Sequence, residues 1–102
     1  MGTVVSTHDK WAVADVGLKS LGMDHGDPTI ADHKVWFCSD EHITFATEKS
    51  ADATTRAPQP AVGTRVRIVP AHVDPTMAMH EHLWLVRGDE VLDRLPIDLR
   101  GW

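Results

Sequence analysis

Apolar and polar residues alternate along short stretches of this chain, and turn-forming residues separate the stretches. That pattern is the signature of strands with one face against a core. Thr3-Val-Val-Ser6 and Trp11-Ala-Val-Ala-Asp-Val16 read as the first two strands. Val35-Trp-Phe-Cys-Ser39 and His42-Ile-Thr-Phe-Ala-Thr47 read as two more, with Asp40-Glu41 between them. Residues 64–69 form a strand with Arg65 and Arg67 on one side and Val66 and Ile68 on the other. Leu83-Trp-Leu-Val-Arg87 and Glu90-Val-Leu-Asp-Arg94 flank Gly88-Asp89 and predict a hairpin. Gly17, Gly22, Gly26 and Pro28 make residues 17–30 a long loop with at most one helical turn. Residues 49–60 read as an exposed connection, and residues 74–81 as a short helix with Pro75 at its first position. The fold class is therefore all-β or mostly β: a small β-barrel or sandwich with one or two short helices.

The 102 residues suit a single domain, burying about 60–65% of its unfolded surface. One cysteine, Cys38, excludes an internal disulfide framework and fits a reducing, cytoplasmic setting. No cationic segment leads into an apolar stretch, so no export signal is expected. No apolar run approaches the roughly 18 residues of a membrane-spanning helix. A net charge of −5 with scattered basic residues argues against nucleic acid or membrane as partner. There is no glycine-rich phosphate loop after a strand and no βαβ alternation. The four lysines, Lys10, Lys19, Lys34 and Lys49, lie mostly in polar segments. A self-contained cofactor enzyme is hard to build from these parts.

The chemistry concentrates in His72-Val-Asp-Pro-Thr76. In extended backbone His72 and Asp74 point the same way, so an imidazole and a carboxylate face one point as a minimal divalent-metal site. The same residues have a plainer use: Asp74 can cap a helix with Pro75 behind it, and His72 can be an ordinary strand-end histidine. Of seven histidines, His80 and His82 form a rival cluster around Glu81, read as a polar lead-in to the next strand. Cys38 reads as a small buried residue. Trp11, Trp36, Trp84 and Trp102 read as core or interface anchors. Arg87-Gly88-Asp89 reads as a turn.

Several segments together resemble the C-terminal domain of the D-threonine aldolase and D-serine dehydratase family, of the alanine-racemase-like group. They are Thr3-Val-Val-Ser6, Ala14-Asp-Val-Gly-Leu-Lys-Ser-Leu21 with Asp24, Asp40-Glu-His42, Val62-Gly-Thr-Arg-Val-Arg-Ile-Val-Pro70, His72-Val-Asp-Pro-Thr76, and Val86-Arg-Gly-Asp89 through Asp98-Leu-Arg-Gly-Trp102. The resemblance implies a two-domain enzyme. A barrel domain, absent here, carries the lysine that holds pyridoxal phosphate, and a β-domain carries the metal. It implies His72 and Asp74 as metal ligands, with Glu41 and His42 as partners behind them. Gly17 is expected to serve backbone geometry, and Lys19 to be solvated or ion-paired. The carboxylate suits manganese, magnesium or cobalt, and zinc remains open. The implied reaction of the whole enzyme is cleavage of a D-β-hydroxy amino acid. Dehydration of D-serine or D-threo-3-hydroxyaspartate is the alternative, and a stand-alone metal-binding or docking module the non-catalytic one. No catalytic residue is assigned within this chain. The implied partners are the barrel domain, the D-β-hydroxy amino acid, and a second copy held by uncovered apolar surface.

Overall fold

The computed structural model describes residues 1–48, 57–98 and 100. Lys49, positions 49–56 of the expected connection, and Leu99, Gly101 and Trp102 lie outside them. Among the described residues, seven strands and one short helix follow in order: β1 (Gly2–Thr7), β2 (Ala12–Ala14), β3 (His33–Cys38), β4 (Ile43–Thr47), β5 (Arg65–Val66), α1 (Val73–Ala78), β6 (His82–Arg87) and β7 (Glu90–Pro96). The mostly-β class holds. Five strands make an antiparallel sheet in the order β3-β4-β2-β1-β5, curled into a half-barrel, and β6 and β7 form a separate hairpin.

Strand alternation explains the core. Val4, Ala12, Ala14, Ile43, Phe45, Val66 and Ile68 turn inward, and Leu21 and Ile30 from the long loop close over them. Strand β4 departs from one-sided alternation: Ile43, Thr44, Phe45 and Ala46 are all buried, because this strand lies between β3 and β2 and is covered on both faces. The long loop contains turns and no helix. The strand expected over residues 64–69 is shorter. Its register with β1, Gly2 opposite Val66, leaves the following residues without a partner there, and pairing resumes where Val69 bridges Thr29.

Among the described residues, tryptophan packs elsewhere than the core. Trp11 stacks on His8 with ring centroids 4.1 Å apart, and Trp36 leans on Trp11 and is exposed. Trp84 lies on the exposed hairpin with the Arg94 guanidinium 5.7 Å from its ring. The core is assembled from small and branched residues plus Phe45. The hairpin turns at Gly88-Asp89 as expected, with Gly88 at φ 59°. Its apolar residues Trp84, Leu85, Val86, Val91, Leu92 and Leu95 are all exposed. Among the described residues, no helix is long and apolar enough to cross a membrane.

Candidate metal centre

Two backbone bonds place the candidate site. Val69 and Thr29 exchange N–H···O bonds of 2.8 and 2.9 Å, pinning the end of the long loop beside the chain that leaves β5. Three residues on, His72 is the N-cap of α1, in extended conformation with φ −139° and ψ 125°. Its side chain makes no capping bond, so the ring nitrogens face other partners. The helix starts at Val73, which corrects two expectations. Asp74 lies inside the first turn and is not the cap, and Pro75 is third in the helix and not first. Proline is tolerated there because the first-turn N–H groups have no partner within the helix. His72 and Asp74 are therefore not side by side on a strand.

They still approach each other. His72 Nε2 lies 3.9 Å from Asp74 Oδ2, two residues along the chain. On the ring's other side, His72 Nδ1 lies 3.4 Å from Asp24 Oδ2, a contact between residues 48 positions apart. His25 sits edge-on to His72 with centroids 4.3 Å apart, and its Nε2 is 3.5 Å from Asp24 Oδ2. Asp24, His25 and His72 each offer a donor atom within 4.8 Å of the others. Partial desolvation raises the Asp24 carboxyl, but hydrogen bonds from His72 and its own backbone and the nearby imidazoles outweigh it. The net result lies below the ordinary carboxylate value. The site is open: the His72 side chain is 38% exposed and that of Asp74 90%.

The loop reaches α1 because Gly22 has no side chain. A Cβ there would lie 2.7 Å from Pro75 Cγ. The Gly22 N–H donates to Thr76 Oγ1 at 2.8 Å, and that hydroxyl donates to the His72 carbonyl at 2.9 Å. The imidazole's backbone is thus stitched to the loop that carries Asp24 and His25.

Glu41 and His42 occupy a different hollow, shared with Asp15, Gly17, Lys19, Ser20 and Asp40. Glu41 pairs with Lys19 at 2.8 Å, as the ion-pair expectation for Lys19 held. Their mutual hydrogen bond and attraction lower the Glu41 carboxyl and raise the Lys19 ammonium. The structure does not bring Glu41 or His42 into hydrogen-bond contact with His72 or Asp74; Asp24 stands behind the imidazole instead. Gly17 serves backbone geometry: a Cβ there would lie 2.2 Å from the Ser39 carbonyl oxygen. His80 binds the Ser20 carbonyl at 2.8 Å, while His82 opens β6, so the two do not act together. Cys38 packs half-buried against the core, and burial with nearby Asp27 raises its thiol, which suits an inert residue. Asp24 and His25 were not legible as site residues, although Asp24 stands in one of the motif segments.

The arrangement can hold a cation and orient an imidazole. The described lysines, Lys10, Lys19 and Lys34, are all exposed.

The family described as "Putative serine dehydratase domain" matches residues 1–86. A D-threonine aldolase from an Arthrobacter species is 36% identical over 93 residues, covering 88% of this chain and 23% of that protein. A 3-hydroxy-D-aspartate aldolase of Paracoccus denitrificans is 35% identical over 104 residues, covering 97% of this chain and 25% of that protein. The crystal structure of D-threonine aldolase from Filomicrobium marinum superposes with a TM-score of 0.80 at 33% identity, over 98% of this chain and 27% of that one. This chain therefore spans about a quarter of the length of the aldolases it matches. A protein of Mycobacterium tuberculosis without an assigned function is 33% identical over 111 residues, and there the match covers 80% of the relative.

Proposed function

The chain belongs to the serine dehydratase domain family, and on that premise we propose that it is the metal-carrying β-domain of a pyridoxal-phosphate-dependent lyase. The substrate class is a D-β-hydroxy amino acid, and the D-threonine aldolase type of cleavage is preferred to dehydration. The similarity to two aldolases supports that preference. The observation that carries the metal role is the approach of His72 Nε2 to Asp74 Oδ2, 3.9 Å apart and both accessible.

The donor set fits a divalent cation. Metal bonds of about 2.0–2.2 Å require donors roughly 3 Å apart. An exposed Asp74 reaches that spacing by a side-chain rotation, since nothing buries it. Two protein donors leave positions for water and substrate, as a catalytic centre requires. Within this chain, His72 presents Nε2, Asp74 supplies negative charge, and Asp24 accepts from Nδ1–H and so fixes the ring and its tautomer. A cation held there supplies Lewis-acid polarisation of the substrate hydroxyl. The coenzyme supplies an electron sink from the barrel domain. The exposed apolar hairpin is the surface on which that barrel, or a second copy of this chain, docks.

The test is reconstitution. The chain is mixed with the barrel portion of a D-threonine aldolase, and both bound manganese and aldehyde release are measured. His72→Ala should abolish both. Undiminished turnover with His72→Ala, or equal rates with chelator and with manganese, would defeat the proposal.

One observation favours a second reading. The mycobacterial relative is only slightly longer than the matched segment, which leaves no space for a barrel of about 250 residues. On this reading the present chain acts as a separate docking or metal-binding module. If added barrel never restores activity while the chain alone binds metal, this second reading stands.

A further inference from the structure

We propose that Asp24, His25 and the Nδ1 side of His72 form a three-donor cation position, separate from the His72–Asp74 pair, where the chain by itself holds zinc or cobalt. This goes beyond the lyase reading and does not depend on it.

The geometry is close to what such an ion needs. In a tetrahedral site with bonds of about 2.0–2.1 Å, donor atoms lie roughly 3.3–3.4 Å apart. Asp24 Oδ2 is 3.4 Å from His72 Nδ1 and 3.5 Å from His25 Nε2. Two edges of the triangle are thus already set, and each of the three residues offers a donor atom within 4.8 Å of the others. Two imidazole nitrogens and one carboxylate oxygen suit zinc or cobalt better than magnesium, which prefers an all-oxygen shell. All three side chains reach solvent, so an ion has a path in and a water can complete the shell. Gly26, at φ 112°, supplies the turn that follows His25.

The two cation positions exclude each other. A neutral imidazole has one lone pair and one N–H. An ion on Nδ1 leaves the proton on Nε2, facing Asp74. An ion on Nε2 leaves the proton on Nδ1, where Asp24 accepts it. Asp74, 3.9 Å from Nε2, is not among the three donors around Nδ1. His72 serves either position through opposite edges of one ring, and His25 decides which is stronger when the chain is alone.

The experiment is zinc titration of the full chain by calorimetry. Cobalt absorption reports coordination geometry, and far-UV circular dichroism confirms that each variant is folded. One ion per chain is expected, with tetrahedral cobalt bands. His25→Ala and Asp24→Asn should each weaken zinc by at least about tenfold, the range that even outer partners of a metal ligand reach. Asp74→Ala should weaken zinc less than either of these, because Asp74 is not one of the three donors. A chain that binds no zinc overturns the inference and leaves the His72–Asp74 pair of the reconstituted enzyme untouched. Loss on Asp74→Ala without loss on His25→Ala overturns it in favour of that pair. Equal loss on all three substitutions overturns it as well, since Asp74 would then count as much as the three donors.

Discussion

The Thr76 hydroxyl donates to the His72 carbonyl at 2.9 Å, one helical turn back, while accepting from the Gly22 N–H at 2.8 Å. That single oxygen joins the long loop to the start of α1 and sets where the His72 imidazole begins. Thr76→Val keeps the shape and removes both bonds. Leaving the half-buried Gly22 N–H unpaired should cost about 1–3 kcal/mol in denaturant unfolding. Metal affinity should fall with it, and Thr76→Ser should recover both.

Glycine substitutions near the site should separate by what they strike. At Gly17 a new Cβ meets the Ser39 carbonyl oxygen at 2.2 Å, and backbone cannot step aside. At Gly22 it meets Pro75 Cγ at 2.7 Å and Thr76 N at 3.1 Å. Gly22→Ala should destabilise by about 1–3 kcal/mol, as overpacking does. Gly17→Ala should cost more. Thermal unfolding of both variants checks the order, and weakened metal binding is expected only where α1 shifts, in Gly22→Ala.

Acid should loosen the site first. The Asp24 carboxyl is held below the ordinary value, with hydrogen bonding from His72 a leading cause. Its contribution is complete above the unfolded carboxylate value of about 3.9 and is lost as pH falls through the lower folded value. Glu41 behaves the same way through Lys19. The raised Lys19 acts at the other end, and its contribution disappears as pH rises through the folded value. All three groups are exposed, so the effects are small and screened by salt. Melting temperature against pH should show a flatter acid limb in Asp24→Asn than in the parent chain. The difference should shrink in high salt.

The hairpin should make the chain self-associate. Trp84 and Leu85 on β6 and Val91, Leu92 and Leu95 on β7 are exposed together. Sedimentation velocity should show concentration-dependent association. Trp84→Ser with Leu92→Ser should suppress it and leave the melting temperature within a few degrees, because neither residue is part of the core. A strictly monomeric parent chain would remove the hairpin as a surface for a second copy.

Much of the fold was legible because its signals are local. Period-two alternation marks β1, β2 and β4, and Gly88-Asp89 marks the hairpin turn. The tryptophans stayed open between core and interface because an aromatic in a strand looks the same whether a layer covers it or not. Trp84 is exposed on the hairpin. Asp74 was read as extended because Pro75 fits both the first and the third place of a helix. His72 stood out, but its neighbours did not. Asp24 and His25 reach it from 48 and 47 positions away, through the Val69–Thr29 bridge and the Gly22–Pro75 contact, and no local spacing records that.

Anomalous X-ray diffraction from the chain crystallised with zinc, compared with its His72→Ala variant, tests the metal role most directly. The expected result is one anomalous peak about 2.0–2.1 Å from a His72 ring nitrogen, absent in the variant. Coordinates with the zinc bound elsewhere and His72 bare, or a peak undiminished in His72→Ala, would contradict a metal centre built on this imidazole.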